Sequence, residues 1–114
     1  MTGIRHMSDW ARKPGHWHGR VTGGDLGGPV SILFFASATE GDGPPLHTHP
    51  YDEIFICRAG KARFTIGDEE IVAQEGDVLI APAQVPHKFA VLGPGCYESI
   101  DIHCNAEVIQ NNLE

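Results

Sequence analysis

At 114 residues with 41% apolar composition, the chain has room for one core and not for two, since domains commonly run about 100 to 150 residues. A formal charge of −7 with only 8 Lys and Arg argues against a nucleic-acid partner, which needs clustered cations to face its phosphates. The longest apolar run, residues 29–36, falls far short of the roughly 18 to 20 residues that span a bilayer, so no membrane partner is expected.

In chain order, residues 1–20 mix charge, glycine and histidine and contain no apolar block of signal-peptide length. The cytoplasm is therefore the expected location. Lacking core-forming alternation, residues 1–25 are expected to form an arm or a lone strand ahead of a single domain at 26–114. The arm carries His16 and His18 in "GHWH", but no carboxylate follows at useful spacing, so an exposed arm or interface strand is expected there rather than a metal site. Strands are expected at 30–37, 54–58, 61–66, 70–74, 78–81, 87–92 and 97–103, which are rich in Val, Ile and Phe and bounded by Gly, Pro or Asp. Gly67-Asp68 suits a two-residue hairpin with glycine first, and residues 75–77 suit another tight turn. Only residues 105–114 look helical, with Asn105 as cap and Val108, Ile109 and Leu113 on one stripe. This is all-β spacing, and closing the strands into an antiparallel barrel or sandwich removes most exposed edges. Cys57, Cys96 and Cys104 are an odd number and are expected to be free thiols serving as small buried hydrophobes.

The chemistry concentrates in "GDGPPLHTHPYDEIFICRAG", residues 41–60. Pro44, Pro45 and Pro50 exclude a helix. On an extended backbone His47 and His49, two apart, leave the same face. A chain reversal around 50–52 would start the next strand at Glu53 beside both imidazoles, while Asp52 points away to solvent. Imidazole and carboxylate donors suit one divalent ion of zinc, iron, manganese, nickel or copper. A fourth donor is expected from His87 in "GDVLIAPAQVPHKF".

The spacing Gly41, five residues, His47-Thr48-His49, three residues, Glu53, six residues, Gly60 resembles the first motif of the cupin superfamily at every defining position. Gly76, five residues, Pro82 and then His87 is similar to the second motif, which has a glycine two after the proline and an asparagine four after the histidine. Here Gln84 and Val91 stand at those places. The resemblance covers residues 41 to about 91. It implies a small double-stranded β-helix, or jelly-roll, barrel in which His47, His49, Glu53 and His87 hold one divalent transition metal. It also implies a homodimer, for which strand 30–36 and the arm bearing Trp10 and Trp17 offer a pairing surface.

Three imidazoles and one carboxylate leave an octahedral ion two open positions for a ligand. Strand parity from Glu53 turns Phe55 and Cys57 to the interior, and parity from His87 turns Phe89 and Val91 there, giving a mostly apolar pocket. Tyr97, Ser99, Asp101 and His103 share one strand face. If that face points inward, His103 joins the pocket, and Asp101 and His103 could orient a ligand or move protons; the alternation alone leaves its direction open. The expected function is a metal-dependent enzyme of dioxygenase type acting on a small chelating organic substrate. The alternatives are a non-catalytic small-molecule binding or sensing barrel and a metal-dependent decarboxylase or isomerase, which would need a positioned acid or base.

Overall fold

The computed structural model describes residues 3–114; residues 1 and 2 of the expected arm lie outside the described residues. Two four-residue helices, α1 (Met7–Trp10) and α2 (Gly23–Leu26), flank β1 (Gly19–Val21). The other strands are β2 (Ser31–Ser37), β3 (His47–Thr48), β4 (Glu53–Ala59), β5 (Lys61–Ile66), β6 (Glu69–Gln74), β7 (Val78–Ala81), β8 (His87–Leu92), β9 (Tyr97–His103) and β10 (Asn111–Asn112). They form two antiparallel five-stranded sheets, ordered β1-β2-β9-β4-β7 and β10-β3-β8-β5-β6. The chain passes back and forth between the sheets, as a double-stranded β-helix requires. All seven predicted strands are present within a residue at either end, and the turn at Gly67-Asp68 joins β5 to β6 as expected. Among the described residues no helix is long and apolar enough to cross a membrane.

Alternation decides what each strand buries. Phe55, Cys57, Phe64, Phe89, Val91 and Tyr97 form the core between the sheets, where Phe55 and Phe64 meet edge to face at 4.9 Å. Outward-facing Phe34 stacks on Trp10 at 3.7 Å and takes Trp17 edge-on at 5.0 Å. Trp17 donates its Nε1–H to the Ser99 carbonyl, and Arg58 lies 3.6 Å above its ring. The chain's own arm thus covers part of the surface expected to pair with a second copy.

Two expectations are corrected. Residues 105–114 form no helix: they run extended into β10, which pairs with β3, and Leu113 N–H bonds the Leu46 carbonyl at 2.8 Å. Ile109 and Leu113 stay 45% and 49% exposed, so no apolar stripe is buried to offset the cost of starting so short a helix. The stretch between His49 and Glu53 carries the chain from the second sheet to the first, and β4 starts at Glu53 beside His49 as expected. Of the cysteines, all free, only Cys57 is buried; Cys96 and Cys104 are exposed.

Two motif positions show why glycine matters. Gly60 has φ +73°, and a Cβ there would strike the Cys96 carbonyl. Gln84, standing where the resembled motif places a glycine, also adopts positive φ, +67°, with its N–H on the His49 carbonyl at 2.8 Å. A side chain in this region costs about 1–2 kcal/mol, and glycine's extra freedom when unfolded returns about 0.5–1 kcal/mol of that. Gln84→Gly is therefore expected to raise the melting temperature by a few degrees; a lower value would contradict this account of the turn.

Candidate metal centre

The centre lies where the two sheets face each other. On one side β3 is held between β10 and β8, with His47 paired to His87; on the other, β4 pairs with β9, with Glu53 opposite His103. His47, His49, Glu53 and His87 are all buried, and their donor atoms lie within 4.8 Å of one another. The four expected ligands are therefore brought together. His16 and His18 join no such group among the described residues.

Each imidazole is oriented from behind. His47 Nδ1 lies 2.6 Å from the Pro45 carbonyl, His49 Nδ1 2.7 Å from that of Ile109 and His87 Nδ1 3.0 Å from that of Val85. A carbonyl only accepts, so each Nδ1 carries a proton, and in the neutral ring each Nε2 presents a lone pair. His49 Nε2 and His87 Nε2 lie 3.0 and 3.1 Å from the same Glu53 oxygen, Oε1, and His49 Nε2, though buried, makes no hydrogen bond. Lone pairs aimed at a carboxylate are unfavourable unless a proton or a cation sits between them. The donor set fits a divalent transition ion, with His47, His49, Glu53 and His87 as the residues that would hold it.

Without an ion, protons on the imidazoles fill that place. Burial works to raise the Glu53 pKa, but the imidazoles of His103, His49 and His87 outweigh it and hold the carboxyl well below the usual range. Burial works to lower the His49 pKa, yet the Glu53 carboxylate and the Ile109 carbonyl leave it raised; His47 is lowered, chiefly by burial.

Sequence reasoning missed Tyr51 and the tail. His103 Nε2 lies 3.1 Å from Glu53 Oε2, and His103 Nδ1 lies 2.7 Å from the Tyr51 hydroxyl, which accepts the Ile109 N–H at 3.0 Å. Tyr51 thus fixes the ring that fixes Glu53, and Ile109 anchors both Tyr51 and His49 through its backbone. Backbone contacts leave no residue-type signal, and an aromatic between Pro50 and Asp52 reads as any turn residue.

The strand face left open by alternation points inward: Tyr97, Ser99, Asp101 and His103 are all buried. Phe55, Phe89 and His103 line a cavity of about 110 Å³ beside His47 and Glu53. Cys57 and Val91 are not part of that lining; each lies two residues along its strand, in the core cluster that also holds Phe55 and Phe89. Leu33, Pro44 and Asp101 complete the walls, with Gln110 of the tail.

The model of the cupin domain matches residues 34–102. The chain belongs to the cupin family. A search of curated proteins gives no match. Among solved structures this cupin is similar to a conserved SPY1581 protein of unknown function from Streptococcus pyogenes (22% identity, 71% of this chain and 68% of that chain, TM-score 0.62). It is also similar to Bacillus subtilis oxalate decarboxylase: in a structure concerned with that enzyme's Mn(II) centres, identity is 19% over 83% of this chain and 27% of that chain, with TM-score 0.76. A second structure of that enzyme, at pH 4.6, gives 24% identity over the same shares and TM-score 0.73. At such identities the likeness is one of fold, and this cupin spans about a quarter of the oxalate decarboxylase chain.

Tyr51→Phe keeps the ring and removes the hydroxyl that positions His103. Metal affinity, measured by competition with a coloured chelator, is expected to fall about 10- to 100-fold. Unchanged affinity would show that Glu53 is oriented without this chain of contacts.

Proposed function

We propose that this cupin is a metal-dependent enzyme of dioxygenase type acting on a small chelating organic substrate, with residues 26–114 as the catalytic barrel and residues 1–25 as an arm. The observation that supports it most is the convergence of three imidazoles and one carboxylate beside a small, partly apolar cavity. When bound, a divalent transition ion in such a donor set supplies Lewis acidity, and with a redox-active metal electron transfer, at positions the protein leaves free. The chain's own residues do the rest. Leu33, Pro44, Phe55 and Phe89 exclude water and limit the substrate to a few heavy atoms, the cavity being well below the roughly 300–1,000 Å³ usual for drug-sized ligands. His103 and Tyr51 hold Glu53 in place and keep a proton beside it.

A second reading, a metal-dependent decarboxylase or isomerase, is favoured by one observation: the inward Asp101 supplies an acid beside the centre, the group that chemistry requires. A homodimer belongs to the same proposal. Outward-facing Ile32, Ile102, Ile54 and Ile80 align across the first sheet, and Ile80 and Val78 at its edge are 51% and 65% exposed. Sedimentation at twice the chain mass is expected, and a lone monomer at micromolar concentration would contradict it.

The decisive experiment follows oxygen. Iron-loaded protein offered small chelating enols, diketones and catechol-like acids is expected to consume dioxygen with at least one, and Glu53→Gln, which loses the buried charge, is expected to lose most of that turnover. Non-oxidative product formation would favour the second reading. Saturable binding without any product would identify a binding barrel.

A further inference from the structure

Asp101 is a buried carboxyl without an assigned task. It is only 5% exposed, it lines the cavity with Glu53 and His103, and its Oδ1 has no hydrogen-bond partner. Register explains the placement: on β9 it is one inward position beyond His103, between Phe55 on β4 and Leu33 on β2. The other buried polar side chains of the wall are already engaged. Glu53 faces its three histidines, His103 lies between Glu53 and Tyr51, and His47 belongs to the donor set, while Gln110, at the exposed rim, gives one amide N–H to Asn112 at 2.7 Å.

We propose that Asp101 is a ligand-binding residue whose carboxyl group donates a hydrogen bond to the far oxygen of a small 2-oxo or 2-hydroxy carboxylic acid held in this cavity. The inference deepens the metal reading and rests on it. A 2-oxo or 2-hydroxy acid offers two adjacent oxygens for chelation, and its remaining carboxylate oxygen needs a donor. No Lys or Arg lines the cavity, and Asp101, buried with an unpartnered Oδ1, is placed to supply that donor as a neutral acid. Burial pushes the Asp101 pKa above the usual carboxylate range, which favours the protonated, donating form. Leu33, Phe55 and Phe89 take the short carbon chain.

The probes are pyruvate and lactate, titrated calorimetrically into Mn(II)-loaded wild type, Asp101→Asn and Asp101→Leu after metal content has been measured in each. Asn still donates a hydrogen bond and is expected to bind within about threefold of wild type. Leu cannot donate and is expected to bind at least tenfold more weakly, about 1.4 kcal/mol, with metal content unchanged. Equal affinity in Asp101→Leu, or a fully metal-loaded wild type that binds neither probe, would overturn the inference and leave the metal reading standing. A wild type that takes up no metal would overturn both. Independently of metal and of whether Asp101→Leu folds, the infrared spectrum of wild type at neutral pH is expected to show a protonated-carboxyl band that Asp101→Asn lacks. Its absence from wild type would equally overturn the inference.

Discussion

A carboxylate buried among histidines organises this barrel. Glu53 is 3% exposed, and an isolated charge at such depth would be prohibitively costly. It is tolerated because Oε1 faces His49 and His87 while Oε2 faces His103. Removing one partner of such a buried group typically costs several kcal/mol, so the four residues stand or fall together. That dependence explains how distant parts of the chain converge. β3 must carry His47 across from His87, β9 must bring His103 opposite Glu53, and the tail must return so that Ile109 meets both His49 and Tyr51.

The two-sheet architecture makes this possible at low cost. Imidazole nitrogens that share a proton or an ion must approach closely without their backbones colliding, and side chains projecting from facing sheets do so. Each ring is then clamped by a carbonyl of its own loop or of the tail, so Nε2 is presented inward before any ligand arrives. Preorganisation of this kind is built from backbone groups, which every residue possesses. Below the donor set, Phe55 and Phe89 separate the polar mouth from the core and confine ligand chemistry to a space that Asp101 shares.

Much of this was legible in the residues. Alternation located Phe55 and Phe89 inside, and His47, His49, Glu53 and His87 were named from their spacing because ligand chemistry restricts residue type. Period-2 alternation fixes which face is shared, however, and not how deep a residue lies: Cys57 and Val91 share the inward face with Phe55 and Phe89 without lining the cavity. It also left the direction of Tyr97–His103 open, because Ile100 and Ile102 compete for burial with the polar face; the buried donor set decides that contest by drawing His103 inward. The tail misled because Val108, Ile109 and Leu113 match a helical stripe, whereas its role is carried by peptide N–H and C=O groups that no side-chain pattern reports. Gln84 kept its turn at positive φ without the glycine, since one strained residue is affordable where its N–H anchors His49.

The central claim is that His47, His49, Glu53 and His87 form one centre for a divalent ion. Elemental analysis of protein purified without chelator or added metal tests it most directly, with wild type and His87→Ala compared. The account predicts about one divalent transition ion per wild-type chain, far less in His87→Ala, and a melting temperature that chelator lowers in wild type and scarcely moves in the variant. Equal metal content in both proteins, or a wild type that neither carries nor is stabilised by any divalent ion, would contradict it.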